Sequence, residues 1–192
     1  RVVFSTEGNA PAVWAATEEG LELLAEGVGG QVAEGHDGLF IYNFEGVYRW
    51  DEGGLAAQVY AFGRGSGTGN IVPSPEGGVL IVHPDRVGTR VLAFDAAGKL
   101  VWERALRGVV GQVRAIRVGE RVFLLAEVSQ SSAAKVFLYQ VDLVQQALLA
   151  RLVAGTRTAA RGSTWIEALN PSQVVLQIGG GHQVLFDASL VP

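Results

Sequence analysis

Apolar residues along the chain occur in short runs that alternate with other residues and are separated by turns rich in glycine and aspartate. The clearest stretch, residues 79–106, contains three such runs, at Val79–Val82, Val91–Phe94 and Leu100–Leu106. Alternation of this kind is typical of β-strands with one buried face. Between the second and third runs, Asp95–Gly98 fits a tight turn, because aspartate can bond its own backbone and glycine accepts a positive φ. The stretch therefore predicts three short antiparallel strands.

The same unit of strands and turns recurs along the chain. Equivalent valines are spaced by 34, 44, 45 and 48 residues, at Val13, Val47, Val91, Val136 and Val184. Segments between the units can each supply one more strand, at 31–34, 70–73, 112–118 and 164–169. The pattern predicts 18 strands in five units, of which the first and last have three strands and the others four.

Four short strands every ~40–50 residues are typical of a β-propeller blade. A β-sandwich has no reason to repeat one turn at this period, and a β-solenoid has a shorter and stricter one. Only Asp142–Leu152 has a composition that competes as a helix, and its surroundings favour a strand. We predict an all-β, propeller-like array of about five four-stranded antiparallel blades, either incomplete or part of a larger ring. It forms one domain, residues 1–192, with repeats near 1–27, 28–64, 65–108, 109–155 and 156–192.

Composition narrows the chemistry. The 192 residues include 26 glycines but no cysteine and no methionine, and the formal net charge is −4. The chain therefore has no disulfide, thiolate metal site or cysteine nucleophile, and its mild acidity argues against a surface that coats nucleic acid. No run approaches the ~18 apolar residues of a membrane helix. The chain starts at Arg1, directly before an apolar run, which predicts a processed or excised piece of a longer chain. Most of its basic residues are arginine and not lysine, which favours a bacterial source.

One repeat carries a recognisable pattern. Residues 91–102 resemble the repeat of PQQ-like (quinoprotein-type) propellers, in which a strand ending in Ala-x-Asp leads through a glycine turn to a tryptophan. Ala93, Asp95, Gly98 and Trp102 match that pattern. The opening stretch, VVFSTEGNAPAVWAATEEGLELLAEG, resembles instead the blade of TolB-like propellers. Both resemblances imply propeller blades, and neither transfers a function, because propellers include enzymes, scaffolds and lectins.

The quinoprotein resemblance implies a cofactor stacked on a tryptophan, beside Ca²⁺ and a catalytic aspartate and often a vicinal disulfide. The chain has no cysteine and no carboxylate cluster beside a tryptophan in a long loop. We therefore expect no enzyme activity, no catalytic residues, no cofactor and no metal. What the resemblance then implies is the non-catalytic branch, including envelope scaffolds similar to the lipoprotein that assists outer-membrane β-barrel assembly. We expect an exported protein of the cell envelope, periplasmic or extracellular.

Histidines and glycine-rich segments give no catalytic signal. His36, His83 and His182 lack metal-ligand spacing, and each is expected in a turn, solvated or hydrogen-bonded. No G-x-S-x-G elbow is present, although a triad assembled in space stays open. Residues 63–69 have the glycines of a phosphate loop without its lysine, and predict a flexible loop between blades.

Four tryptophans raise the alternative of a lectin, since sugars stack on exposed indoles. Trp14, Trp50 and Trp102 lie in or beside strands at repeat-like positions, where packing between blades is expected. Trp165 follows the polar stretch 161–164 and is the tryptophan that we would test for a ligand.

The charges of the turns form a second pattern. With the strands of a blade labelled A to D from axis to rim, the D–A and B–C loops lie at one end of the strands and the A–B and C–D loops at the other. The first set is mostly cationic, with Arg64, Arg86, Arg90, Arg107, Lys135, Arg157, Arg161, His83 and His182 against Glu7, Glu26, Glu45 and Asp85. The second set is mostly acidic, with Glu18, Glu19, Asp37, Asp51, Glu52, Glu76, Asp95, Glu120 and Asp142 against Lys99 and Arg121.

An arginine-bearing end would bind carboxylate or phosphate groups of a partner. The candidate contact residues are Arg64, Arg107, Arg157, Arg161, Trp165 and His182. The leading hypothesis is a non-catalytic interaction or scaffold module that binds a macromolecule, most simply a protein, through the D–A and B–C loops. A carbohydrate- or small-anion-binding propeller is the alternative, and a quinoprotein-like or hydrolytic enzyme comes third. Anionic macromolecules and glycans stay open as partners, and unpaired strand edges would allow pairing with another copy.

Overall fold

The structure is a computed structural model that describes residues 1–51, 56–63, 69–85, 88–106, 109–130, 133–156, 165–178 and 182–187. These residues form 18 β-strands. The strands are β1 (Val2–Thr6), β2 (Ala12–Thr17), β3 (Gly20–Glu26), β4 (Gln31–Glu34), β5 (Leu39–Tyr42), β6 (Gly46–Trp50), β7 (Ala57–Ala61), β8 (Asn70–Pro73), β9 (Val79–Asp85), β10 (Gly88–Phe94), β11 (Leu100–Leu106), β12 (Val109–Val118), β13 (Arg121–Gln130), β14 (Ala133–Asp142), β15 (Ala147–Thr156), β16 (Trp165–Asn170), β17 (Gln173–Ile178) and β18 (His182–Asp187). Within the described ranges, no helix is long and apolar enough to cross a membrane.

The strands form five sheets in which chain order is also spatial order. Sheet 1 is β1–β3, sheet 2 is β4–β7, sheet 3 is β8–β11, sheet 4 is β12–β15 and sheet 5 is β16–β18. The pairing is antiparallel, and each sheet is a meander with tight connections. The predicted all-β, propeller-like array is confirmed, including three strands in the first and last sheets.

Contacts divide the chain into two compact units. Unit 1 is Arg1–Arg86 with Leu92–Val101, and unit 2 is Val87–Val91 with Trp102–Pro192. In unit 1, β5 is buried on both faces. Its residues Leu39 and Ile41 join the apolar cluster of sheet 1, whereas Phe40 and Tyr42 join a second cluster with residues of β8, β9 and β10. Sheet 2 is therefore packed on both sides, which explains the unbroken apolar run LFIY.

Unit 2 has its own core. Phe123 and Leu125 of β13 pack with Leu138 of β14 and with Val174 and Leu176 of β17. Its strand β12 lies beside β16, and in unit 1 β4 lies beside both β1 and β8. The first strands of successive sheets within each unit are thus neighbours, as the inner strands of propeller blades are.

The turn at Asp95–Gly98 forms as predicted. Gly98 donates its N–H to the carbonyl of Asp95 at 3.0 Å, and the Asp95 carboxylate accepts the N–H of Lys99 at 2.9 Å. Gly98 adopts a φ of +81°, which favours glycine. The aspartate and the glycine therefore act through the two mechanisms that the sequence indicates.

Four members of the predicted cationic loop set lie in strands, so their assignment to loops is wrong: His83, Arg90, Lys135 in β14 and His182 in β18. His83 is fully buried within β9, which extends past the predicted end at Val82 to Asp85. Arg90 lies in β10, where its Nη1 is 3.0 Å from Oε1 of Glu103. Pairing with neighbouring strands extends β9 and β10 through residues that have turn-like composition.

Two of the three tryptophans predicted to pack between blades do so. Trp50 and Trp102 are buried, and Nε1 of Trp102 donates to the carbonyl of Gln146 at 2.8 Å. Trp14 is only half-buried and lies in β2 of sheet 1. With Val13 aligned to Val47, Trp14 takes the position of Tyr48 and not that of Trp50, so its different burial reflects a different position in the repeat.

Candidate functional site

Most of the residues predicted to contact a partner lie outside the described residues. These are Arg64, Arg107, Arg157 and Arg161. Trp165 begins β16 and is half-buried, in the same row as Gln177 and Gln183. His182 is the first residue of β18 and does not lie in a turn. The structure describes its backbone but not the surroundings of its side chain. Trp165 and His182 are thus placed near the same end of sheet 5, two strands apart.

A cleft of about 460 Å³ opens at one end of the strands in unit 1. It lies between the β1–β2 loop, the β3–β4 connection and the β5–β6 turn. With Val13 aligned to Val47, these are a B–C loop, a D–A loop and a second B–C loop. We call this feature the loop cleft. It lies at the end of the strands that the sequence predicts to contact a partner.

The floor of the loop cleft is the segment 27–30 between sheets 1 and 2. A Cβ atom on Gly29 would lie 2.4 Å from the carbonyl oxygen of Thr6, and one on Gly30 would lie 2.3 Å from that of Tyr42. The hydroxyl of Ser5 donates to the carbonyl of Gly30 and accepts the N–H of the same residue at 3.2 Å. Only glycine permits this close approach, so the floor is fixed against β1 and β5.

One wall is the turn at residues 43–46. The side-chain oxygen of Asn43 accepts the N–H groups of Glu45 and Gly46, at 2.9 and 3.1 Å. Its Nδ2 donates to the carbonyl of Gly29 at 3.0 Å, which ties the turn to the floor. Asn43 therefore holds the turn as an Asx turn and fixes its position. The turn presents Phe44, whose side chain is 60% exposed.

Two carboxylates border the cleft, Glu7 on the β1–β2 loop and Glu45 on the wall turn. Both are exposed, and Glu45 accepts a hydrogen bond from the Tyr48 hydroxyl at 3.3 Å. Burial raises the pKa of Tyr48, and the charge of Glu45 and this hydrogen bond act in the same direction. Among the described residues that line the cleft, none is an arginine, a lysine or a histidine. The border of the loop cleft is thus acidic and aromatic, whereas the sequence predicts a mostly cationic end.

A buried aromatic cluster supports the cleft from within unit 1. The Tyr42 hydroxyl shares a 3.0 Å hydrogen bond with Nδ1 of His83 and accepts the N–H of Gly69 at 2.7 Å. The ring of Phe62 stacks on His83 with 3.5 Å between centroids and 9° between planes. Burial raises the pKa of Tyr42 to about 12, and the Gly69 hydrogen bond opposes that rise. These contacts join sheets 2 and 3 and hold Tyr42 in the cleft lining.

A second cleft of about 450 Å³ lies at the other end of sheet 2 and is lined by Glu34, His36 and Trp50 among others. His36 is exposed in the turn before β5, as predicted, and its Nδ1 is 2.8 Å from Oδ1 of Asp37. Among the described residues, no group of three or more His, Asp or Glu side chains could hold a metal ion.

The sequence did not single out Asn43 or Phe44. An aromatic residue at the centre of the otherwise polar turn Asn43–Gly46 was only a weak signal, because single exposed apolar side chains are common on protein surfaces. The walls, however, come from loops separated by up to 38 residues, and only the folded sheets bring them together.

Comparison with known proteins supports the fold but does not identify a function. No family model matches the chain, and no curated protein does. Two crystal structures of puromycin hydrolase are similar, with TM-scores of 0.53 and identities of 16% and 15%; one is an S511A mutant complexed with PGG. In both, the match covers 95% of this chain and 31% of the hydrolase, so the chain spans less than a third of that enzyme's length.

A third structure, a protein of unknown function from Bacteroides caccae, has a TM-score of 0.44 and 10% identity, covering 97% of this chain and 89% of that one. That score is too low to support an argument. The puromycin hydrolase likeness agrees with the propeller-like array and says nothing of activity at this identity. The resemblance to PQQ-like and TolB-like blades stays a prediction.

Proposed function

We propose that the chain is a non-catalytic β-propeller interaction module that binds a protein partner through the B–C and D–A loop end of its sheets. The observation that carries this proposal is the loop cleft with Phe44 exposed on a turn that Asn43 holds in place. Large aromatic side chains are enriched among the few residues that dominate binding energy at protein interfaces. A rigid turn also reduces the conformational entropy lost on binding. The cleft therefore offers an anchor that is already in place.

The acidic border refines the partner chemistry expected at this part of the surface. Glu7 and Glu45 favour a partner with a cationic or amide-rich contact patch here. The predicted arginine contacts, Arg64, Arg107, Arg157 and Arg161, would serve acidic groups elsewhere along the same end. A surface with both positive and negative groups is typical of proteins that bind one specific partner, because each charge helps to exclude competing partners.

A photo-crosslinking experiment tests the proposal. Benzoylphenylalanine replaces Phe44 in one variant and Leu169 in the control, since Leu169 is 58% exposed and is not one of the residues that line the cleft. We expect irradiation in an extract of the source cells to give a discrete protein adduct from position 44, and not from position 169. Equal adducts from both positions, or none from position 44, would contradict the proposal.

Hydrolytic activity is the alternative that the likeness to puromycin hydrolase raises. We propose that this chain alone has no such activity, since it spans 31% of that enzyme. Incubation of the purified chain with puromycin should release no product above a heat-denatured control. Product release that depends on the folded chain would overturn the non-catalytic assignment.

The carbohydrate alternative depends on Trp165, which is half-buried at the start of β16. Quenching of tryptophan fluorescence by a glycan panel, lost in Trp165→Phe, would favour it over a protein partner. We also propose an exported or envelope location, as the blade resemblance implies. Fractionation of the source cells that places the protein in the cytoplasm would contradict that location.

A further inference from the structure

The uncharged polar side chains that line the loop cleft use their hydrogen-bonding groups within the protein. They are Gln31, Tyr42 and Asn43. Nε2 of Gln31 donates to the carbonyl of Gly69 at 2.7 Å, and its Oε1 accepts the N–H of Ile71 at 3.2 Å. The hydroxyl of Tyr42 accepts the N–H of Gly69, and the side chain of Asn43 bonds to backbone groups of the floor and of its own turn. These three side chains therefore hold the cleft together and are not the groups left for a ligand.

Two charged side chains, Glu7 and Glu45, stay available at the border of the cleft. Both are exposed. Within the described part of the chain, the Glu7 carboxylate has no hydrogen bond or ion pair, and the Glu45 carboxylate accepts one hydrogen bond, from the Tyr48 hydroxyl at 3.3 Å. Ionised carboxylates accept hydrogen bonds and donate none. A ligand must therefore supply the donors, and a positive charge favours binding because it offsets two negative charges at one cleft.

The rest of the described lining is apolar or glycine. Pro11 and Val28 contribute apolar surface from the β1–β2 loop and the floor. Phe44 is next to Glu45 on the wall turn and is 60% exposed. Arginine and lysine have an apolar stem that packs on such surface while the charged group stays in water. Either cation is also attracted to the face of an aromatic ring. The cleft thus offers apolar and anionic contacts side by side, as a basic side chain requires.

We infer that the loop cleft binds one basic side chain of the protein partner, an arginine or a lysine. Its charged group lies at the carboxylates of Glu7 and Glu45, and its stem packs against Phe44. The inference rests on the proposed function, because it names the chemistry that the partner brings to that site. The cleft volume of about 460 Å³ lies within the range of about 300–1,000 Å³ that is typical of ligand pockets.

Other chemistries fit the cleft less well. An acidic group would meet two negative charges and no cation among the described lining residues. A neutral amide or a sugar hydroxyl supplies hydrogen-bond donors but not the positive charge, and charged pairs form the stronger hydrogen bonds. A basic side chain is therefore the occupant that satisfies both carboxylates.

Both carboxylates belong to backbone segments that are held in place before binding. Glu7 follows Thr6, whose carbonyl oxygen lies against Gly29, and Glu45 belongs to the turn that Asn43 ties to the same glycine. Such preorganisation reduces the entropy lost on binding. Exposed ion pairs are weak individually, so we expect an isolated basic side chain to bind with a dissociation constant on the order of 10 mM.

An NMR titration of the isotope-labelled chain tests the inference. The probes are the amides of N-acetyl-arginine, N-acetyl-lysine and N-acetyl-citrulline, each added up to about 50 mM at constant ionic strength. We expect one or both cationic probes to shift the backbone amide signals of Gly29, Gly30 and Glu45 in a saturable way. Citrulline has the shape of arginine without its charge and should bind at least about fivefold more weakly. If neither cationic probe shifts these signals, or if citrulline binds equally well, the inference is overturned.

Removal of each carboxylate locates the contact. Glu7→Gln and Glu45→Gln should each weaken binding of the cationic probe at least about twofold, and the double variant should show no saturable shift. The matched control is Glu167→Gln, which removes the same charge at an exposed position of β16 outside the cleft lining and should bind like the wild type. Equal weakening by all three changes would show a general charge effect and contradict the inference.

Failure of this inference is distinguishable from failure of the proposed function. A discrete protein adduct from position 44, together with no binding of either cationic probe, would contradict the basic side chain alone. Binding of a cationic probe with no adduct from position 44 would instead contradict the protein partner.

Discussion

The hydroxyl of Tyr42 lies 3.0 Å from Nδ1 of His83, and both side chains are buried in unit 1. The bond joins β5 of sheet 2 to β9 of sheet 3 across 41 positions of the chain. Tyr42 also lines the loop cleft. The position of the cleft lining thus depends on a buried polar contact between two sheets, which is costly to break because the separated groups stay out of water.

Tyr42→Phe should change the pH dependence of stability. Burial raises the pKa of Tyr42 from 10.0 to about 12. Between these values the phenol ionises in the unfolded chain but stays neutral in the folded one, so its contribution, complete below pH 10, falls as the pH approaches 12. The loss over that window is about 2–3 kcal/mol.

Urea unfolding at pH 9 and pH 11.5 measures this effect. The wild type should lose more stability between the two pH values than Tyr42→Phe, whose other tyrosines provide the same background. The variant should already be less stable at pH 9, by about 1–3 kcal/mol, because it lacks the bonds to His83 and Gly69. Equal losses in both proteins would mean that the phenol titrates normally.

Gly30→Ala should destabilise the chain by at least about 2 kcal/mol. The added Cβ would lie 2.3 Å from the backbone oxygen of Tyr42, and the φ of +148° is strained for alanine. Gly63→Ala is the matched control, since a Cβ there meets no atom within 4 Å, and should change stability by no more than about 0.5 kcal/mol. Thermal unfolding of both variants tests whether Gly30 packs tightly against the backbone of Tyr42 in the cleft floor. Similar melting temperatures of the two variants would argue against this packing.

Trp102→Phe should cost about 1–3 kcal/mol more than Trp50→Phe. Both indoles are buried, but only Trp102 donates to a carbonyl, that of Gln146. Nε1 of Trp50 has no hydrogen-bond partner among the described residues, so its loss removes an unsatisfied group. Denaturant unfolding measures the loss of stability in each variant. Equal losses would show that packing, and not the hydrogen bond of Trp102, determines the loss.

The sequence predicts strands and turns well because their signals are local. The turn at Asp95–Gly98 and the number of strands per sheet follow from alternation and turn residues alone. His83 is predicted in a turn, yet it lies in β9, and Tyr42 supplies a buried partner from a distant strand. The loop cleft was missed for the same reason, since Phe44 gains its significance only when segment 27–30 packs beside it. Non-local contacts decide both features.

The most direct test of the loop cleft as the contact surface compares protein capture by immobilised wild type, Phe44→Ser and the control Leu169→Ser. Both replaced side chains are about 60% exposed, at 60% and 58%, so neither change should affect folding. A protein captured by the wild type is then purified and titrated against all three by calorimetry. We predict that Leu169→Ser binds like the wild type, whereas Phe44→Ser binds at least about tenfold more weakly, as loss of an aromatic anchor requires. Equal affinity of Phe44→Ser and the wild type would contradict the account.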